Sequence, residues 1–121
     1  MCDWINDDMP YRFRAGSDSL LAMPLSLELD DQFILHNNLH SEWEYADQIK
    51  DACDFLLAEA DKTGGGRLLA LSIHPWLLGQ PHRIAAFESV LEHIAGQQGV
   101  WSTSASAIID AWQAQQPTGN I

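Results

Sequence analysis

One histidine of this sequence stands where it could do chemistry. His74 follows the apolar run "LLALSI" and directly precedes Pro75 and Trp76. Histidine titrates near neutral pH, so a partly desolvated imidazole can give a proton to a leaving group or take one from water. Trp76 offers a flat wall for a substrate. The alternative is a structural histidine whose ring only bonds a neighbouring backbone carbonyl, and the local sequence leaves both interpretations open.

The apolar run before His74 is what must position it. The run, residues 68–73, has almost no polar residue and lies between glycines and a proline. This pattern predicts a short strand buried on both faces, as found in parallel sheets covered by helices. Pro75 biases His74 toward extended backbone and ends the strand there. Because reacting groups of parallel α/β proteins collect at the carboxyl ends of strands, the pattern predicts His74 at such an end.

The elements before this run are predicted from periodicity and capping signals. Residues 1–18 have neither helical nor strand periodicity and are interpreted as a long functional loop. The segment "PLSLELD" alternates apolar and polar residues, which predicts a strand ended by Asp30 and Asp31. Ser41, with Glu44 three residues later, predicts a capping box that opens a helix. The helix is expected to stop at the glycines of residues 64–66.

After this run the sequence predicts a helix, a short strand and a last helix. Four apolar residues at helical spacing predict a second helix with one buried face: Ile84, Phe87, Leu91 and Ile94. The segment "GVWSTS" predicts a short strand, and Ser104 is expected to cap a last helix whose buried face is Ile108, Ile109 and Trp112. Strands that alternate with helices indicate βα units, so we expect an α/β fold of about three units with parallel strands.

Composition limits the possible classes of protein. The 121 residues are expected to form a single domain, residues 1–121. Seventeen acidic and six basic residues give a formal charge of −11, and the basic residues are scattered, so a nucleic-acid partner is not expected. No apolar run is long enough to span a membrane and the amino terminus does not resemble a secretion signal. We therefore expect no membrane partner and a cytoplasmic location.

The two cysteines do not suggest a redox or metal site. Cys2 and Cys53 are 51 positions apart and fit no metal-binding or redox spacing. Cys53 falls on the apolar stripe of the helix predicted after Ser41, so it is expected to be a small core residue. No disulfide is required.

Three stretches of the chain resemble one protein family. "LSIHPWLLGQPHRIAAFESVLEHI" and the following "GVWSTSASAIIDAW" resemble the carboxyl-terminal end of the polysaccharide deacetylase (NodB-like) family, whose last motif reads Leu-x-Ile/Leu-His. "DWINDDMPYRFR" resembles a loop of the branch that contains allantoinase-type amidohydrolases of urate catabolism and related uncharacterised deacetylases. The resemblance extends over nearly the whole chain.

This resemblance implies a fold and a chemistry. Family members are distorted (β/α) barrels that hydrolyse non-peptide C–N bonds in N-acetyl sugars, ureides or amides. In the deacetylases an Asp and two His bind a metal, another Asp acts as the base, and the histidine of the last motif protonates the departing amine. The resemblance therefore assigns the general acid to His74. It places Asp7 and Asp8 in the pocket lining, where they would orient polar groups of a substrate, although two adjacent carboxylates could instead cap a turn.

Two aromatic residues are candidates for the pocket wall. Tyr11 and Trp76 would bind the substrate there, and ordinary aromatic packing is the alternative for both. The expected partner is a small-molecule or saccharide substrate.

The sequence also departs from the family pattern. A full (β/α) barrel takes about 250 residues, so this chain corresponds to a partial barrel, the carboxyl-terminal portion. The motifs that supply the base and the metal ligands are not in it, so the cofactor stays undetermined: a divalent metal is possible in the full-length protein, with ligands outside this chain. His36 and His40 of "HNNLH" have a metal-pair spacing, but they lie in a predicted turn, so no metal is expected there.

Two functions remain possible from the sequence. The first is the carboxyl-terminal portion of a hydrolase acting on carbon–nitrogen bonds, inactive alone because the other half of the site is missing. The alternative is a non-catalytic module derived from the same fold that binds a ligand or a partner. In either case a partial barrel leaves the strand near Leu20 without its preceding neighbour, so we expect the isolated chain to self-associate or to be only marginally stable.

Overall fold

A computed structural model describes residues 9–116, and it combines strands with helices. The elements, in order, are β1 (Tyr11–Ala15), β2 (Asp18–Ala22), a 3-10 turn (Leu27–Leu29), a π-helix (Gln32–Asn37), α1 (Glu42–Thr63), α2 (Pro75–Leu78), α3 (Ile84–Ala95) and α4 (Ala105–Gln115). Within the described residues no helix has the length and apolar character needed to cross a bilayer.

The chain begins with a hairpin where a loop was predicted. β1 and β2 pair antiparallel, with Tyr11 opposite Ala22 and Ala15 opposite Asp18. Gly16 takes a positive φ of 68°, which a two-residue turn requires and a glycine adopts at little cost. The loop prediction was wrong for residues 11–18. The expectation that the strand near Leu20 lacks a neighbour was also wrong, because Leu20 lies opposite Phe13 of β1. The signal was present, since aromatic residues alternate with arginines before a Gly-Ser turn.

The next predicted strand is also replaced. Residues 24–30 were expected to be extended, but the chain folds into the 3-10 turn, in which Leu29 N bonds Ser26 O at 3.0 Å and Asp30 N bonds Leu27 O at 3.2 Å. The alternation of residues failed as a strand signal because these local bonds satisfy the backbone instead. The turn brings Asp30 and Asp31 beneath His74.

The run before His74 is extended but does not form part of a sheet among residues 9–116. Its contact with the preceding turn is made by Ala70, whose carbonyl accepts a hydrogen bond from Ser26 N at 3.1 Å. The sheet of the described residues is the antiparallel hairpin alone. The run is half-buried and Ser72 is exposed, so the prediction of a strand buried on both faces was wrong. Residues 100–103 are likewise without strand pairing. A parallel ladder needs a neighbour about 4.8 Å away on each side, and neither segment has one here.

The first long helix follows its capping signals. Ser41 Oγ accepts a hydrogen bond from Glu44 N at 3.1 Å, and the Glu44 carboxylate accepts one from Ser41 N at 2.6 Å. The predicted capping box is confirmed. The helix ends at Gly64, whose positive φ of 72° closes the last turn.

We predict that Ser41→Ala lowers the free energy of unfolding by about 1 kcal/mol, because the amide of Glu44 loses its acceptor. Urea unfolding measures the change. Ser102→Ala is the matched control, because Ser102 is exposed and lies outside any helix. Equal effects of the two substitutions would contradict the capping account.

The core forms where α1 packs on α3 and on the π-helix. Its buried members are Ile34, Leu35, Tyr45, Ala46, Ile49, Leu77, Leu78, Ala86 and Val90. Cys53 is buried on α1, as predicted. The face of α3 differs from the prediction: Ala86 and Val90 are fully buried, whereas Leu91 and Ile84 are exposed. The smaller residues let α3 approach α1 closely.

The last helix begins as predicted. Ser104 Oγ accepts a hydrogen bond from Ala107 N at 3.3 Å, so Ser104 is the cap. The predicted buried face, Ile108, Ile109 and Trp112, is only partly buried. α4 instead borders a groove of about 720 Å³, which it shares with the end of α1 and both extended segments.

Candidate active site

His74 ends the extended run and begins a helix. Its backbone is extended, at φ −106° and ψ 110°, and it is the N-cap of α2. Pro75 occupies the first helical position, where its missing N–H costs nothing and its fixed φ suits a helix. The junction therefore holds the His74 backbone between two constrained segments. The side chain is about one third exposed, with a relative accessibility of 32%.

The imidazole of His74 is paired with a carboxylate that is fully buried. His74 Nδ1 lies 2.5 Å from Asp31 Oδ1, and His74 backbone N donates to Asp31 Oδ2 at 2.6 Å. Asp31 Oδ1 also accepts from Gln32 N at 2.8 Å. A buried carboxylate needs such donors to offset its lost hydration. The ring is thus held by a carboxylate and not by the backbone carbonyl that the structural alternative required.

This pairing fixes which nitrogen faces outward. Since carboxylates accept and do not donate when ionised, Nδ1 carries a proton toward Asp31. Nε2 makes no hydrogen bond among the described residues. The hydrogen bond to Asp31 raises the pKa of His74 above its ordinary value, burial opposes this, and the charges of Asp31 and Asp30 add to the rise. The ring is therefore protonated to a greater extent near neutral pH than an ordinary histidine, with its second proton on Nε2.

A second carboxylate and a phenol lie beside the pair. Asp30 Oδ1 is 3.4 Å from His74 Nδ1 and is buried without a hydrogen-bond partner among the described residues. Burial raises the pKa of Asp30, and so do the hydrogen bond and the charge of Asp31. The hydroxyl of the buried Tyr45 also has no partner in this part of the chain. Burial raises the pKa of Tyr45, with smaller contributions from Asp31 and Asp30.

A metal site is the other arrangement that the two carboxylates and the imidazole could form. Asp30, Asp31 and His74 each bring one ligand atom within 4.8 Å of the others. However, both oxygens of Asp31 already accept N–H hydrogen bonds, and the proton on His74 Nδ1 occupies the position from which that nitrogen would bind a metal. The cluster therefore fits an imidazole–carboxylate pair and does not fit an open metal site.

Aromatic rings extend the site toward solvent. Trp76 lies edge-on to His74 with ring centroids 5.8 Å apart, and it is 54% exposed. His36, in the last turn of the π-helix, is edge-on to the Trp76 ring, with centroids 6.4 Å apart. The structure therefore brings Trp76 together with His74, as the sequence suggested.

Tyr11 is the other predicted site residue that the structure describes. The ring of Tyr11 packs beside Phe13 in β1, with centroids 6.4 Å apart, and so has a role in the hairpin. Asp7 and Asp8 lie outside the described residues. His40, the second histidine of "HNNLH", contacts Gln48 Nε2 through Nδ1 at 3.0 Å.

Sequence reasoning missed the two carboxylates. Asp30 and Asp31 were interpreted only as the end of a strand, because they lie 43 positions or more from His74. No local sequence pattern predicts that an Asp next to a π-helix will be buried. Only the packing of the 3-10 turn against the apolar run places them under the imidazole.

Comparisons with known proteins agree with this description. No family model matches the sequence. A protein of Schizosaccharomyces pombe described as a candidate polysaccharide deacetylase is 28% identical over 125 residues, covering 95% of this chain and 39% of that protein. The structure matches the crystal structure of PuuE allantoinase with a TM-score of 0.83 and 28% identity, over 96% of this chain and 39% of that one. It also matches a probable polysaccharide deacetylase from Pseudomonas aeruginosa PAO1, with a TM-score of 0.80 and 26% identity, over 93% of this chain and 38% of that one.

These matches cover nearly all of this chain but only about two fifths of the relatives' length, 39% of the first. The fold is shared over the matched region at 26–28% sequence identity. The resemblance stated from the sequence is thus confirmed: the chain is similar to proteins described as polysaccharide deacetylases and to an allantoinase.

Proposed function

We propose that this chain supplies the acid of a hydrolytic site that cleaves non-peptide C–N bonds, in N-acetyl sugars or in ureides and amides. One observation carries the proposal, the 2.5 Å contact of His74 Nδ1 with the buried Asp31. This contact holds the ring in one orientation and favours its protonated form. The relatives' descriptions as a deacetylase and an allantoinase support the reaction class.

The proposed reaction assigns one step to His74. Water adds to the carbonyl carbon, and the tetrahedral intermediate then breaks its C–N bond. The leaving nitrogen is a poor leaving group unless it is protonated as the bond breaks. His74 Nε2 donates that proton, and the resulting neutral ring remains hydrogen-bonded to Asp31 through Nδ1. A fixed imidazole loses no orientational freedom in this step, which is the advantage of its buried partner.

The base that activates water is proposed to lie outside residues 9–116. In the described part of the chain, the carboxylate nearest to His74 is Asp31, and it is committed to N–H donors on both oxygens. In the metal-dependent members of the family, a divalent metal polarises the carbonyl and the water. The ligand cluster tested above does not fit that role, so we derive no step through a metal here.

We also propose the barrel architecture for the complete fold. The extended runs at residues 68–73 and 100–103 would then become inner strands when the remaining part of the barrel pairs with them. Their half-burial supports this idea, because apolar side chains on these runs face the groove beside α4. Hydrogen–deuterium exchange of these segments, with and without the remainder of the fold, measures their pairing.

The experiment for the proposed function is an assay of the protein made from its full reading frame. Acetate release from N-acetylglucosamine oligomers and the conversion of allantoin to its ring-opened carboxylate are followed separately. Activity on either substrate supports a C–N hydrolase. Specific binding of these compounds without turnover would instead support the non-catalytic module.

We predict that the 121-residue chain self-associates through a second copy. The groove beside α4 exposes apolar residues that a monomer would leave in water: Leu57, Leu69, Val100, Trp101 and Trp112 contribute to its lining. Sedimentation velocity should show a weight-average mass that rises with concentration, and Trp101→Ser should shift the equilibrium toward monomer, since Trp101 is exposed. A monomer at every concentration would contradict this prediction.

A further inference from the structure

The motif "HNNLH" has a role in the structure that its spacing did not predict. Its first histidine, His36, is in the last turn of the π-helix, and Asp31 is the cap of the same helix. Asn38 N bonds Phe33 O at 2.9 Å, a bond between residues five positions apart, and His40 N bonds Ile34 O at 3.0 Å. These wide turns distinguish the segment from an α-helix.

The wide turn determines which way His36 faces. An α-helix has 3.6 residues per turn, so residues five apart lie on clearly different sides of it. A helix whose bonds join residues five apart brings position 36 back toward the side of position 31. Asp31 bonds His74 and His36 borders Trp76, so both ends of the π-helix contact the same cluster.

The π-helix is followed by a residue with an unfavourable backbone conformation. Leu39 has a positive φ of 56°, which is rare for a residue with a branched aliphatic side chain, and its side chain is 83% exposed. Such a conformation costs on the order of 1–3 kcal/mol. The π-helix contributes Ile34 and Leu35 to the core, whereas His36 and Leu39 are both exposed. Burial in the core therefore does not account for the conformation of Leu39 or for the position of His36 beside Trp76.

Trp76 contacts two imidazoles in this arrangement. His74 and His36 are both edge-on to its ring, with interplanar angles of 67° and 77°. Among the described residues His36 makes this ring contact and no hydrogen bond, so its nitrogens remain able to bind a ligand. A molecule that lies against the exposed Trp76 can therefore reach one imidazole with each end.

We propose that His36 is a substrate-binding residue that selects compounds carrying a second hydrogen-bond acceptor beyond the group cleaved at His74. Such a compound has an amide or ureido group at one end and a carbonyl or carboxylate at the other. His36 donates a hydrogen bond from its imidazole to that acceptor, while Trp76 supports the apolar middle. The inference rests on the proposed function for the place of the cleaved group, but it concerns binding and not the chemical step.

The test uses two small probes that differ only in the second acceptor. Ureidoacetate has a ureido group and a carboxylate, whereas ethylurea has the ureido group alone. Their dissociation constants are measured by NMR from the shift of the indole N–H of Trp76, which is assigned with Trp76→Phe. We expect ureidoacetate to bind about tenfold more tightly than ethylurea, the effect of one hydrogen bond to a charged group.

His40 provides a matched control from the same motif. His36→Ala should reduce the affinity for ureidoacetate to that for ethylurea, and His40→Ala should leave the tenfold preference unchanged, because His40 contacts Gln48 and not Trp76. His74→Gln should also keep the preference, so a failed hydrolysis assay and a failed binding test remain distinguishable. The inference is overturned if neither probe shifts the Trp76 signal, if both bind equally, or if the preference survives in His36→Ala.

Discussion

Replacing His74 with glutamine should lower kcat of the protein's C–N hydrolysis by a factor on the order of 10²–10⁴, with a much smaller change in KM. Glutamine fills a similar volume and can still accept and donate hydrogen bonds, but it has no proton to give at neutral pH. The loss is therefore expected in the step that breaks the C–N bond. Steady-state rates of acetate release or of allantoin ring opening, measured in the protein made from its full reading frame, test this expectation.

A second histidine shows that the effect is specific. His82 is exposed just before α3 and lies outside the cluster, so His82→Gln should retain the activity of the unmodified protein. Circular dichroism and unfolding curves verify that both variants fold. The acid role of His74 is wrong if His74→Gln, correctly folded, hydrolyses the substrate at the wild-type rate.

Replacing Asp31 with asparagine should reduce stability by about 1–3 kcal/mol, because an amide NH₂ would face N–H groups that now donate to a carboxylate oxygen. Asp31 is fully buried and receives three such hydrogen bonds, from Gln32 N, His74 N and His74 Nδ1. The substitution also removes the largest cause of the raised pKa of His74, so this pKa should fall. Urea unfolding and an NMR titration of the ring measure the two effects.

The stability effect should depend on pH in a defined direction. The folded-state pKa of His74 is raised above 6.5, the ordinary value of a histidine in an unfolded chain. Its contribution to stability is therefore fully present below that ordinary value and is lost as pH rises through the folded-state pKa. The stability difference between the wild type and Asp31→Asn should consequently be larger at about pH 5.5 than at about pH 9.5.

A histidine–aspartate pair at the surface serves as the control. His93 Nε2 lies 2.7 Å from Asp54 Oδ1, and the Asp54 side chain is half-exposed. Because solvent weakens such a pair, Asp54→Asn should change stability by less than about 1 kcal/mol. Equal losses for the Asp31 and Asp54 variants would mean that burial adds nothing to the His74 pair.

The sequence predicted those features whose cause is local. The capping box of Ser41 and Glu44, the helix end at Gly64 and the cap at Ser104 depend on bonds between residues three or four positions apart, and all three were predicted correctly. The position of His74 at the end of an extended segment was also predicted, because Pro75 restricts the residue before it.

The predictions that failed concern features that depend on contacts between distant parts of the chain. Residues 24–30 alternate as a strand does, but the backbone forms a 3-10 turn that packs under the run before His74. The pairing of Asp31 with His74 joins positions 43 apart, and no periodicity encodes such a contact. The direction of His36 depends on a π-turn, for which the letters "HNNLH" give no signal. Burial of the apolar run was overestimated because an apolar composition does not reveal whether its neighbours lie within the same chain.

The most direct test of the account is an NMR pH titration of the His74 imidazole, with ring nitrogen signals assigned through His74→Gln. The account predicts that the ring titrates above the ordinary pKa of histidine and that its Nδ1 proton gives a downfield signal protected from exchange, both lost in Asp31→Asn. A ring that titrates at or below the ordinary value, with no protected Nδ1 proton, would contradict the claim that Asp31 holds His74 ready to donate from Nε2.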